Sequence, residues 1–148
     1  LNLKWLNSIK FNKTKIAVEN NNYFKTGAYD YVTDPEFINH IINIFDIFML
    51  FDYSHARITS YNKNTLFEEY LNKFNNSRII QIHFCGYKIK NNIIYDSHTK
   101  PKKDDFLLLM KLIKNLKHLE YITIEYYKSI EILTKIVKEL KKLNSKLK

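Results

Sequence analysis

Apolar positions along this chain follow two alternating rhythms. In one, they recur at every second residue, as at Ile16 and Val18, Met49 and Phe51, Ile80 and Ile82, and Ile122 and Ile124. That is the spacing of a strand with one buried face. In the other they recur at three and four, as at Phe37, Ile38, Ile41, Ile42 and Phe45, the spacing of a helix with one apolar stripe. The pattern predicts a helix-like start at Leu3 to Ile9, followed by a strand at Thr14 to Glu19. After a polar loop, Asp34-Pro35 opens a helix, since an Asp carboxylate accepts an orphan N–H and proline suits the first turn. A strand at Ile47 to Asp52 comes next, then a helix capped by Asn64 or Thr65 that carries Leu66, Phe67, Tyr70, Leu71 and Phe74. A strand at Arg78 to Phe84, a longer loop from Gly86 to Lys100 and a helix around Phe106 to Leu116 follow. A strand at Tyr121 to Tyr126 and a helix at Ile130 to Leu143 close the chain.

Strands alternating with helices define an α/β protein with a parallel sheet. The four βα units, taken as one domain over residues 1–148, are expected to form half of an eight-stranded TIM barrel, because a whole one needs about 250 residues. The missing half would lie upstream or come from self-association, since a half-barrel leaves two sheet edges open. Strand parity fits that geometry. Ala17 and Glu19, Leu50 and Asp52, Gln81 and His83, and Thr123 and Glu125 share the inward parity, while the bulky apolar set faces the helices.

Each strand then ends at a residue able to hold a metal: Glu19, Asp52, His83 and Glu125. Strand ends of a βα repeat meet at one mouth, so their donors meet too. His55 lies three residues after Asp52, and Asp96 and His98 lie in the loop after His83. Imidazoles mixed with carboxylates suit iron, manganese or zinc, and so many carboxylates suit a cluster of two or three cations that they can bridge. His40 and His118 fall on or near helices away from that mouth. Cys85 shares the inward parity of His83, but beside Gly86 it suits a small packed residue equally well and is left out of the set. Tyr23, Tyr29, Tyr31, Tyr53 and Tyr87 flank the strand ends and are candidates to line a substrate pocket.

Composition narrows the function without naming it. The chain has 148 residues, 45% hydrophobic, with two glycines in total. Two glycines cannot build a phosphate-cradling loop, and neither a nucleophile elbow nor a paired-cysteine zinc pattern is present. The net charge of +9 would attract nucleic acid. Much of it sits at one end, in Lys138, Lys141, Lys142, Lys146 and Lys148, where cations favour the helix dipole, so nucleic acid is not the expected partner. The apolar run Ile47 to Phe51 is far short of the roughly 20 residues of a membrane span. A single cysteine allows no internal disulfide and fits a cytoplasmic location.

These residues resemble the xylose-isomerase-like metal barrels, and within them the multinuclear-iron family typified by the methanobactin-biosynthesis proteins MbnB and TglH. The likeness runs in order through Val18-Glu19-Asn20, Asp34-Pro35-Glu36-Phe37, Leu50-Phe51-Asp52, Ser60-Tyr61-Asn62, Ile82-His83-Phe84 and Asp96-Ser97-His98. It implies that the chain supplies strands five to eight of the barrel. Glu19, Asp52, His55, His83, Asp96, His98 and Glu125 would then be metal ligands, with His55 standing where Asn is common in the family. The implied activity is non-haem iron oxidation of a cysteine in a ribosomally made peptide bound with a partner protein. Rival expectations are a sugar isomerase or epimerase, with Glu19 and Glu125 as acid and base, and an inactive half-barrel that only binds a partner. A third rival is a DNA phosphodiesterase similar to the three-zinc endonuclease-IV type, which carries a Gly-rich stretch where this chain has Thr99-Lys100-Pro101.

Overall fold

Asp34 and Pro35 do start a helix. The Asp34 carboxylate accepts the Glu36 N–H at 3.2 Å, and α1 runs Pro35–Phe45, seating Ile38 and Ile42 in the core. It stops at Asp46, whose φ of 47° is left-handed, and the chain turns directly into the next strand. This computed structural model describes residues 14–145, so the helix-like start expected at Leu3 to Ile9 lies outside the described residues.

Four strands form one parallel sheet in the order β1 (Ala17–Glu19), β2 (Phe48–Asp52), β3 (Ile79–Phe84) and β6 (Tyr121–Ile124). Between them lie α2 (Tyr53–Asn62), α3 (Phe67–Leu71) and α4 (Lys103–Lys114), and α5 (Ile130–Ser145) follows β6. The alternation read from the sequence is therefore present as a mixed α/β fold. The core fills the space between sheet and helices. Met49, Phe51, Ile82 and Phe84 meet Ile42, Phe74, Phe106, Leu109 and Ile136, with edge-on ring pairs such as Phe51–Phe74 and Phe84–Phe106.

Three local features depart from the expectations. No loop follows β2: α2 begins at Tyr53, with Asp52 as both the last strand residue and the helix cap. Residues 86–100 are not a loop but an antiparallel hairpin, β4 (Gly86–Lys90) and β5 (Ile93–Thr99). Its two turn residues, Asn91 and Asn92, both have positive φ (52° and 60°), the backbone of a tight type I′ turn. Finally, β3 carries a bulge. Met49 aligns with Ile79 while Leu50 aligns with Gln81, so Ile80 is the extra residue and Ile79 takes its place in the core. The even parity expected of β3 therefore holds only from Gln81 onward.

The inner face of the sheet carries Ala17, Leu50, Gln81 and Thr123, none of them fully buried. The sheet curls toward that face. Lys15, just before β1, and Glu120, just before β6, pair across it although their strands are the two outermost. Among the described residues no helix is long and apolar enough to cross a membrane.

Candidate metal centre

The register puts the four strand-end residues at one end of the sheet. Asp52 lies beside His83, and the Glu125 N–H reaches the Phe84 carbonyl at 3.3 Å. Because of the curl, acids from both outer strands arrive at the same imidazole: His83 Nδ1 lies 3.3 Å from Glu19 Oε1 and 3.0 Å from Glu125 Oε1. Asp52 Oδ2 lies 4.0 Å from the same nitrogen.

The other three expected residues join this group. His55, in the first turn of α2, brings Nδ1 to 3.7 Å from Asp52 Oδ2 and Nε2 to 3.8 Å from Asp96 Oδ2. His98 lies 3.1 Å from Asp96 through Nε2 and 3.7 Å from Glu125 Oε2 through Nδ1. Glu19, Asp52, His55, His83, Asp96, His98 and Glu125 thus form one continuous cluster at the strand ends. His40 and His118 are exposed and take no part in it.

How the chain delivers each side chain follows from local structure. Asp52 is fixed twice. Its Oδ1 accepts the His55 N–H at 2.7 Å as the cap of α2, and its own N–H and C=O pair with the Asn20 amide at 2.9 and 3.0 Å. Asn20, fully buried just past β1, thereby extends the β1–β2 pairing with a side chain. The Asn20 carbonyl also faces His55 Nδ1 at 2.9 Å. A carbonyl can only accept, so Nδ1 carries a proton, and Nε2, on the Asp96 side, is the nitrogen that becomes free for a cation once its own proton has left.

His98 arrives by a different device. Gly86 aligns with Thr99 but Tyr87 aligns with Asp96, so Ser97 and His98 bulge out of the hairpin. His98 takes a left-handed φ of 43°, a costly backbone that turns its ring inward. The bulge needs Gly86: a Cβ there would sit 2.6 Å from the Lys100 carbonyl oxygen.

Two buried atoms in the cluster have no hydrogen-bond partner: Asp52 Oδ2, on a side chain only 1% exposed, and His83 Nδ1. Leaving such groups unpaired costs about 1–3 kcal/mol each, and both point into the space between the carboxylates. A cation there would satisfy both. His83 has a second neighbour that matters, the Gln81 amide, 3.3 Å from Nε2 and 2.8 Å from the Thr123 hydroxyl. The amide nitrogen donates to the Thr123 hydroxyl.

The electrostatics tell the same story. Burial pushes the Asp52 carboxyl above the usual carboxylate range, against the lowering effect of His55, with Glu125 and Glu19 adding to the rise. Burial alone would lower His55, but Asp96, Asp52 and the Asn20 carbonyl outweigh it and raise it. Asp96 is lowered because His55 and His98 overcome its own burial. Four carboxylates interleaved with three imidazoles make a donor set that could hold a cation.

Sequence reasoning missed two participants. Asn20 was only part of a matching segment, although a buried amide beside a strand end is a positional signal. Cys85 was set aside, yet its sulfur, His98 and Glu125 place donor atoms within 4.8 Å of one another. Glu19, Asp52 and His55, and Asp52, His83 and Glu125, do the same. The expected tyrosine lining is corrected in part: Tyr53 is wholly buried, its hydroxyl donating to Asp105 at 3.0 Å, and belongs to the core. The exposed ring of Tyr127 stands beside His98 instead, 5.7 Å between centroids.

A parallel α/β sheet with carboxylates and imidazoles gathered at its strand ends is the arrangement of a protein that could hold a metal ion there. The sequence profile of the RiPP precursor modification enzymes MbnB/TglH/ChrH matches residues 8–148, and the chain belongs to that family. No curated protein matches the chain by sequence.

Proposed function

We propose that the protein oxidatively modifies a cysteine of a ribosomally made peptide at a multinuclear non-haem iron centre held by Glu19, Asp52, His55, His83, Asp96, His98 and Glu125. Membership of a family that modifies such precursors supports the peptide substrate. The observation that carries the metal reading is the pair of orphaned buried atoms, Asp52 Oδ2 and His83 Nδ1, aimed into a ring of acids. Iron bound there would supply Lewis acidity toward a substrate thiolate and electrons for dioxygen chemistry.

The chain's own residues have definable tasks. Asp52, Glu19 and Glu125 offset cationic charge, and Glu125 faces two positions at once, His83 through Oε1 and His98 through Oε2. Asn20 holds the backbone of Asp52 and the tautomer of His55, so these donors need no reorganisation when a cation arrives. Tyr127 and the hairpin stand at the rim, where a peptide would enter. The reading extends to architecture: this chain forms one half of a TIM barrel, and a partner protein presents the peptide.

Anaerobic iron(II) loading of wild-type protein and of Asp52→Ala and His83→Ala, followed by desalting and metal analysis, tests this. Wild type should retain iron that both variants lose. Wild-type protein that holds no transition metal ends the proposal.

A further inference from the structure

We propose that Cys85 is a sulfur ligand to one cation of this centre, in a position shared with His98 and Glu125; the inference rests on the metal reading above and adds a donor of a different chemical kind. Cys85 follows β3 directly, two residues beyond His83 on the same inward side, and is 1% exposed. Its Sγ lies 3.7 Å from His98 Nδ1 and 3.8 Å from Asp96 Oδ1, and His98 Nδ1 lies 3.7 Å from Glu125 Oε2.

Those separations suit coordination. Around a tetrahedral cation with metal–sulfur and metal–nitrogen bonds of about 2.3 and 2.05 Å, neighbouring sulfur and nitrogen donors stand about 3.6 Å apart. Nitrogen and oxygen donors stand about 3.4 Å apart by the same reckoning. The observed edges agree to within a few tenths of an ångström. A cysteine serving only as a small hydrophobe would not lie among an imidazole and two carboxylates.

The thiol's own hydrogen bond leaves the sulfur facing that way. Ser54 donates its single hydroxyl proton to the Cys85 carbonyl at 2.7 Å, so its oxygen, 3.1 Å from Sγ, can only accept the S–H. The sulfur lone pairs remain toward His98 and Asp96, and on coordination the thiol proton leaves to solvent. A second observation points to the same cation group. Asp52 Oδ2, buried and unpartnered, completes the neighbouring position with His83 and Glu125, and Glu125 is common to both. A thiolate beside imidazole and carboxylate favours iron(II), zinc or cobalt(II) over magnesium or calcium.

The chain has one cysteine, so any thiolate signal has one source. Wild type and Cys85→Ser, prepared without thiol reductant, are titrated with cobalt(II) under nitrogen, with absorption and bound metal measured together. Wild type should show the near-ultraviolet thiolate-to-cobalt charge-transfer band as metal binds, and Cys85→Ser should bind cobalt without it. Cobalt bound by wild type with no such band overturns the sulfur ligand and leaves the carboxylate–imidazole centre standing. A band that persists in Cys85→Ser overturns it too, whereas failure of wild type to bind cobalt overturns both readings. Should Cys85→Ser not fold, the wild-type spectrum alone decides.

Discussion

Replacing Asn20 with alanine separates scaffold from cluster in a way the structure makes quantitative. The Asn20 amide supplies the partners of both the N–H and the C=O of Asp52, at 2.9 and 3.0 Å, in a place with no access to water. Truncation leaves both backbone groups buried and unpaired at about 1–3 kcal/mol each, so metal-free protein should lose about 2–6 kcal/mol. A domain of ordinary stability has about 5–15 kcal/mol, so the loss would show as a large drop in urea midpoint. The same substitution loosens Asp52, and a lost outer partner typically weakens metal binding about 10- to 100-fold. Urea unfolding followed by circular dichroism in chelator gives the first number, and competitive metal titration gives the second. A loss below about 1 kcal/mol would refute the pairing argument. A clear loss of stability with unchanged metal affinity would refute the positioning role while leaving the scaffold role intact.

Asp52→Asn keeps a good helix cap but removes the buried charge, so the metal-free variant should melt no lower than wild type above neutral pH while failing to bind metal. Parallel thermal melts with and without metal check both halves. For wild type in chelator, Asp52 is raised to about 7 and His55 to about 9, both above their unfolded values. Groups shifted upward stabilise the fold when protonated, so apo stability should fall as pH climbs from about 4 to 7 for Asp52 and from about 6.5 to 9 for His55. A metal-free melting temperature that rises between pH 6 and 9 would contradict that sign. Gly86→Ala must displace the Lys100 carbonyl and disturb the bulge that holds His98; reduced metal content without loss of helix signal is expected. Tyr53→Phe removes a buried hydroxyl bonded to Asp105, a residue outside the donor cluster, and should cost about 1.5–3 kcal/mol with metal content unchanged.

The strands and the donor set were legible because both lie on the simplest signal a sequence carries. Two-residue apolar alternation ended four times in an acid or a histidine, and parallel order then brings such ends together. Helix α2 was not legible because its buried side includes Ser54, Thr59 and Ser60, whose hydroxyls are satisfied by hydrogen bonds to Cys85, Asn21 and Arg57 carbonyls. Polar side chains there erase the three-and-four rhythm. The hairpin hid for a related reason: its turn is Asn91-Asn92 without a glycine, and Asp96 and His98 interrupt the alternation of β5. The bulge at Ile80 could not be read either, since adjacent isoleucines at 79 and 80 fit either face. Cys85 was ambiguous in one dimension, because only the folded hairpin brings His98 to its sulfur.

Asp52 ends a strand and begins a helix with nothing between. One extra residue inserted from Leu50 to His55 would rotate α2 by roughly 100° about its axis, carrying Ala56 and Ile58 out of the interior and His55 away from Asp96. Length variation among natural variants should therefore be tolerated around Lys25 to Asp30, an exposed turn, and purged from this junction.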